Sequence, residues 1–488
     1  MVTFTEVFTA FSPAVALIAG VILVLIADLV TKNAASNRKI VVSITSAILL
    51  LAILLVMRTE ALVESETAIP MFKFGLFYQI FSIIGLSASI LVVFSASYDF
   101  TVEKDLGILS SLLLISNAGG ILIAASNHLL PLYVGFELMA IPIYGMIAYR
   151  KKSREVAEAS VKLFLLGAVS SGIIVYGLSL IYGATGSLAF ASVVLDNSQP
   201  LKNVGIYLVM FGTAFKLSLV PFHWWVSDVY VGAPVSIVNY LAVASKKMAF
   251  TFAFQLFMIS FINDTDVWGP MLGLIVILTI LVGNGMAVIQ DRVMRLIAYS
   301  SIAHAGYIAI SLVAYSQSVG LPNENELKAL ALYAGILHMV ANVLMKGVLI
   351  AGALIVVNSF ENDHIENFRG VYQKDKVVGA TMVISLLSLI GIPPLGGFVS
   401  KYFLFVAVVS PETPLGWAVA FSLAIGSAIS VYYYIRLARV ILDEPSNDIQ
   451  LVPATPIKAL MVVLTILTLL FSIVAFLLTP EDIFSNLF

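Results

Sequence analysis

Ala214-Phe215-Lys216-Leu217-Ser218-Leu219-Val220-Pro221-Phe222-His223-Trp224-Trp225 sets a lysine and, five residues later, a proline inside an apolar run that covers 203–226. Neither belongs in such a run by default. An amine at the centre of a bilayer costs ~2.5–3.5 kcal/mol on insertion scales. Proline removes a backbone donor, so the carbonyls it frees must find water or side chains. The combination recurs, in the other order, in Gly391-Ile392-Pro393-Pro394-Leu395-Gly396-Gly397-Phe398-Val399-Ser400-Lys401. The two stretches predict discontinuous membrane-spanning helices with a lysine beside each break, the usual pointer to an ion site in a repeat-built transporter.

The rest of the chain agrees with a lipid solvent. Its 488 residues are 60% hydrophobic and 11% charged, with a mean hydropathy of +1.03, against about 25% charged in an average soluble domain. The apolar residues fall in blocks of about 20, the length a helix needs to cross a ~30 Å hydrocarbon core, and they lack the alternation of barrel strands. About fourteen transmembrane helices are predicted, from 9–31 to 459–479, making an all-α polytopic membrane protein. Loops between odd-numbered helices and their successors hold sixteen lysines and arginines, the even-numbered ones only Arg58, Lys73, Lys202 and Lys328. Cytoplasmic loops carry the excess, so both termini are expected outside the cytoplasm. Met1 to Ala10 contain Glu6 but no basic residue, so no signal peptide is expected there. A net charge of −2 gives no nucleic-acid footprint, and the absence of cysteine rules out a disulfide, an iron–sulfur cluster or a thiolate metal site.

Six basic residues belong to no loop: Lys162, Lys216, Lys246, Lys247, Lys346 and Lys401. All are lysine. Glu137, in Pro131-Leu132-Tyr133-Val134-Gly135-Phe136-Glu137, is the acid that stands alone at mid-helix. Lys162 precedes Lys216 by 54 residues and Lys346 precedes Lys401 by 55. That spacing suggests a repeat of five helices, and an odd count makes its two copies inverted. The expected organisation is 1–105 for helices 1–3, 106–262 for the first repeat, 263–442 for the second, and 443–488 for the last helix, with helices 7 and 12 discontinuous.

Desolvation favours a neutral amine and a neighbouring carboxylate favours the ammonium, so a buried lysine can load and release a proton where arginine stays charged. Glu137, Lys216, Lys246 and Lys401 are the leading candidates for such a relay. Lys162 also fits an interfacial pair with Glu158, four residues before it, and Lys247 is expected to accompany Lys246 while pointing ~100° away. His338, Asn342 and Lys346 form a polar stripe on helix 11. His304 suits proton relay or a bond across helices, and His223 suits a relay or an interfacial anchor beside Trp224 and Trp225. His128 and His364 are loop residues, and five scattered histidines do not supply a haem site. Asn263-Asp264-Thr265 matches a glycosylation sequon in a short loop.

The stretch from Ala214 to Pro234 resembles the N-type antiporter-like membrane subunits of the respiratory complex I family. So do Glu155-Val156-Ala157-Glu158 through Lys162-Leu163-Phe164 to Gly172, Phe368-Arg369-Gly370-Val371-Tyr372, and Gly391 to Phe403. The resemblance covers about residues 70–440. It implies fourteen helices with two inverted five-helix repeats, proton transfer along a hydrated polar axis at mid-membrane, and roles there for Glu137, Lys162, Lys216, Lys246 and Lys401. Leu337-His338 through Asn342 to Lys346 is more similar to the L- and M-type subunits and to Mrp antiporters. The implied function is proton translocation without a cofactor in this chain, driven by NADH, or by a reduced deazaflavin or ferredoxin, oxidised elsewhere in the complex. The implied partners are M/L-type antiporter-like and small membrane subunits, with quinone as the electron acceptor. Two alternatives stay open: an Mrp-type cation/proton antiporter subunit, and a structural membrane scaffold.

Overall fold

The structure is a computed structural model that describes residues 4–31, 34–62, 71–102, 105–149, 154–195, 200–445 and 450–477. The loop cations Lys32, Lys104, Arg150, Lys151 and Lys152 and both chain ends, on which the orientation reading rests in part, lie outside the described residues. The first six helices are α1 (Phe4–Val30), α2 (Ala34–Leu62), α3 (Leu76–Ala96), α4 (Leu106–Ala125), α5 (Leu129–Ala148) and α6 (Arg154–Thr185). A short α7 (Phe190–Leu195) leads to α8 (Pro200–Leu217) and α9 (Trp225–Gly232), the two halves of the seventh span. The eighth span runs over α10 (Val235–Tyr240), a π-helical turn Leu241–Ser245, α11 (Lys246–Phe254) and a second π stretch Gln255–Ser260.

Then follow α12 (Thr265–Val288), α13 (Val293–Ser318), α14 (Glu324–Phe360), the single turn α15 (Val371–Lys374), α16 (Lys376–Ile390), α17 (Gly396–Val409), α18 (Pro414–Leu442) and α19 (Thr455–Leu477). Among the described residues twelve helices are long and apolar enough to cross a membrane. With the broken pairs α8/α9 and α16/α17 they make the fourteen spans expected. Both breaks fall where the prolines predict, and each contains a cis X–Pro bond, Val220–Pro221 and Pro393–Pro394.

The chain forms two compact units, Met1–Lys216 with Val243–Asp264, and Leu217–Ala242 with Thr265–Phe488. In the first, small residues let helix backbones approach closely, the packing lever of helices in lipid. A Cβ on Gly119 of α4 would meet the backbone of Met139 and Gly135 on α5, and Ser116 Oγ donates to the Met139 carbonyl at 2.7 Å. That contact fixes the height of α5 and with it Glu137. Gly177 of α6 faces Gly205 of α8 in the same way, and Ser170 Oγ donates to the Gly212 carbonyl at 2.7 Å, which sets α6 against the turn that carries Lys216.

In the second unit α13 and α14 are buried along most of their lengths. Gly283 of α12 lies against the backbone of Ala303 on α13, and α14 packs on α13, α16, α17 and α19. Two helices enclosed by others are where polar side chains can be kept away from lipid.

Candidate functional site

Within the first unit Lys216 occupies the last turn of α8, and Ser218, two residues on, takes a left-handed φ of 66° that ends the helix. Its Nζ lies 2.7 Å from Glu137 Oε1, with the lysine side chain 7% and the glutamate 19% exposed. Ser171 Oγ, on α6, donates to the same oxygen at 2.7 Å. The ammonium also stands 4.7 Å from the centre of the Phe136 ring, itself stacked on Phe252 of α11 at 3.9 Å. Three helices thus converge on one ion pair.

Lys246 and Lys247 open α11, directly after the π turn at Leu241–Ser245. Such turns are rare and cluster at functional sites because they shift the helix register. Both lysines are buried, Lys247 (2%) more deeply than Lys246 (6%). Lys162 is different. It pairs with Glu158 at 2.7 Å, one helical turn back, and both side chains are about half exposed, the arrangement its spacing allowed.

The first unit also holds a charge pair that the loop count overlooked. Lys202 is fully buried, bonded to Asp264 at 2.9 Å and to the Val193 carbonyl of α7 at 2.8 Å. Asn263 of the sequon donates to the neighbouring Val194 carbonyl at 3.0 Å. These bonds tie α7 to the start of α8 and the end of the eighth span.

In the second unit Lys346 of α14 is completely buried and donates to Ser301 Oγ at 2.6 Å and to the Ile297 carbonyl at 3.1 Å, both on α13. Two turns earlier on α14, His338 Nε2 meets His304 Nδ1 of α13 at 3.0 Å, with the rings parallel within 12°. His338 Nδ1 reaches Ser400 Oγ of α17 at 3.0 Å. His304 Nε2 faces Tyr434 OH of α18 at 3.5 Å, and Tyr434 in turn bonds Ser300. A hydrogen-bonded line therefore runs Ser300, Tyr434, His304, His338, Ser400 across four helices.

Lys401, next to Ser400, points back to the break, donating to the carbonyls of Leu389 at 3.0 Å and Ile390 at 2.9 Å, with the Tyr307 ring 5.1 Å away. Gly391, with a φ of 96°, gives the amine this room: a Cβ there would lie 3.3 Å from Lys401 Cδ. Asn342 is buried between His338 and Lys346. His223 is buried in the break of the seventh span, stacked on exposed Trp224 at 4.9 Å, and the structure does not bring it to the other histidines. Sequence reading did not anticipate Tyr434, Ser400, Tyr307 or Ser301 as partners. No single-helix spacing could have found them, since each meets its partner from another helix. Among the described residues no group of three or more histidines and carboxylates is arranged to hold a metal ion.

The sequence family described as NADH:quinone oxidoreductase/Mrp antiporter, TM, matches residues 126–427. Subunit N of the NADH-quinone oxidoreductase of Desulforamulus reducens is 36% identical over 380 residues, 75% of each chain. A chain of respiratory complex I from Thermus thermophilus with bound aureothin is similar at a TM-score of 0.76 and 29% identity, over 95% of this chain and 98% of that one. A chain of the archaeal membrane-bound sulfane sulfur reductase reaches 0.80 at 23% identity, over 97% and 95% of the two chains. One of the Mrp complex from Dietzia sp. DQ12-45-1b reaches 0.83 at 19%, over 99% and 97%. These last two likenesses are of fold alone. Matched by the family over more than half its length, the chain belongs to the membrane-subunit family of NADH:quinone oxidoreductases and Mrp antiporters.

Proposed function

We propose that the chain is the N-type antiporter-like subunit of a complex I-type, redox-driven proton pump and that it translocates protons along its buried lysines, histidines and Glu137. The observation that carries the reading is the Glu137–Lys216 pair, an ion pair held inside an apolar span at a helix break. At an effective dielectric of ~20, two unit charges ~4 Å apart attract by ~4 kcal/mol. Withdrawing Glu137 removes that attraction and leaves a buried ammonium, which then gives up its proton. Lys246 is the next acceptor on the eighth span, and Lys162 serves at the accessible edge of α6.

In the second unit Lys346 and Lys401 are the loading groups. The His304–His338 pair carries protons between the helices: each imidazole takes a proton at one nitrogen and releases one from the other. Two imidazolium rings cannot share the hydrogen bond at 3.0 Å, so the pair passes one proton at a time. His223 lines the break of the seventh span as a further acceptor. The lysine beside each broken span supports reading 106–262 and 263–442 as the two inverted five-helix repeats.

The partners in this reading are the M/L-type and small membrane subunits of the assembly. Redox chemistry resides in other subunits, and the chain lies in the cell membrane with both termini outside the cytoplasm. The test is proton uptake by the intact complex in sealed vesicles. Glu137→Gln is expected to depress uptake while electron transfer continues. Undiminished uptake would overturn the reading, and proton movement driven by a sodium gradient without an electron donor would favour a cation/proton antiporter instead.

A further inference from the structure

We propose that the last three turns of α18 carry a binding site for an anionic phospholipid, with the phosphate headgroup held by Arg369, Arg436 and Arg439. These side chains line one end of a cavity of about 840 Å³ in the second unit. Its other end follows α18 back to Ala428, ~16 Å along the helix axis from Arg439. There the wall is apolar, and Val431 (37%), Tyr432 (60%) and Ile435 (47%) are turned outward. A cationic head continuous with an apolar trough along a membrane span is the shape of an amphiphile.

Two of the three cations are set in place before any ligand arrives. Arg436 is fixed by Asp291 at 2.6 Å and by the carbonyls of Val288 and Gln290. Arg369 is fixed by Asp443 at 2.9 Å and Glu366 at 3.3 Å. The turn that bears Arg369 is stitched to α18 by Gly370 N–H on the Val440 carbonyl at 3.0 Å and by Gln373 on the Leu442 carbonyl at 2.6 Å. Each guanidinium has five donors, and these contacts leave some of them unused. Arg439 makes no ion pair or side-chain hydrogen bond among the described residues. The lining thus has three guanidinium groups and the carboxylate of Asp443, with Asp291 and Glu366 paired to Arg436 and Arg369 beside it, so that Arg439 is the cation left outside any ion pair. Basic pockets at the ends of membrane helices suit phospholipid headgroups.

Free phosphate would satisfy the guanidinium groups but not the trough, and exposed Tyr432, one turn from Arg436 on the apolar side, fits the aromatic belt of a lipid interface. The proposal is tested on the intact complex in phosphatidylcholine nanodiscs doped with phosphatidylglycerol. Bound phosphatidylglycerol is counted by mass spectrometry after delipidation. Arg439→Gln, at an exposed position with no packing to lose, is expected to weaken retention ~5-fold, the ~1 kcal/mol one basic side chain is worth near anionic lipid. Tyr432→Ala should weaken it as well, and inorganic phosphate should fail to displace the lipid. Unchanged retention in both variants would overturn the site. Displacement by inorganic phosphate alone would reduce it to an anion site. A photocrosslinker at Tyr432 that traps another subunit in place of lipid would assign the cavity to a protein contact.

Discussion

Beside the break of the seventh span, Lys216 belongs to the helix that ends there and meets a carboxylate, Glu137, from another helix. Beside the break of the twelfth, Lys401 belongs to the helix that begins there and reaches back to the last carbonyls of α16. Both amines sit at the C-terminal end of a half-helix, where unpaired carbonyls and the helix dipole favour positive charge. They differ in what can change. Fixed dipoles cannot be withdrawn, whereas a carboxylate on a separate helix can. In the proposed relay Lys216 is therefore the switchable member, and Lys401, held by the Leu389 and Ile390 carbonyls, the fixed one.

The comparison breaks most visibly at Lys401. Lys401→Met should slow proton uptake by the intact complex ~100-fold, the lower end of what one positioned proton-transfer group supplies. Lys401→Arg should be as poor, because a guanidinium does not release its proton. Pumping by the arginine variant would make Lys401 a structural cation. At the other break Glu137→Gln and Lys216→Met should each reduce uptake ~10-fold, and the double variant should be no worse than the poorer single one, since the two act as a coupled pair. Additive losses would mean that the ion pair is not the switch. Removing one partner of a buried pair costs ~3–5 kcal/mol, so the amount of assembled complex must be measured alongside uptake.

How much of this could be read from the chain follows from where the energy terms sit. The breaks at Pro221 and at Gly391 to Gly397, the lone Glu137 and the buried lysines are single-residue violations of lipid solvation, and such violations show in a one-dimensional sequence. Contacts between helices do not. His304 read as a relay or a bond across helices and His338 as part of a stripe with Asn342 and Lys346, but neither reading could say that the two share a hydrogen bond. Lys202 read as a loop cation because it lies near Pro200 between apolar runs, but α7 folds the chain back so that Asp264 covers it. Lys247 read as a companion of Lys246, and its own deep burial depends on neighbouring helices that a single helical wheel does not contain.

A smaller effect probes the histidine line that distinguishes the second break from the first. His338→Gln keeps a hydrogen-bonding side chain of similar reach but cannot take up a proton at one end while releasing one from the other. Uptake should fall ~5-fold, short of the ~100-fold that a positioned proton-transfer group can supply, with assembly unchanged. Ser400→Ala should do no more than this. If His338→Gln pumps normally while Lys401→Met does not, Lys401 exchanges its proton by another route and the line is structural.

The smallest effect concerns how the twelfth span is anchored at its start. Asp375 caps α16, accepting from the backbone N–H groups of Val377 and Val378 at 3.1 Å, and it also bonds Lys458 in the first turn of α19. Burial pushes its carboxyl up, but Lys458 and the two amides more than offset this and hold it below the ordinary carboxylate range. A carboxyl that titrates lower in the folded chain than in the unfolded one stabilises the fold above the unfolded value of ~3.9. That contribution disappears as the pH falls through the lower, folded value. Thermal melts of the purified protein should therefore lose stability below about pH 4 more steeply with Asp375 than with Asp375→Asn. At neutral pH Asp375→Ala should cost ~1 kcal/mol, as the loss of a helix cap does, while proton uptake stays normal. The seventh span offers the contrast, because its anchor, Lys202 on Asp264, is enclosed on both sides. If Asp375→Ala also abolished uptake, the start of α16 would be coupled to the break that holds Lys401, and the two lysines would no longer differ only in their immediate partners.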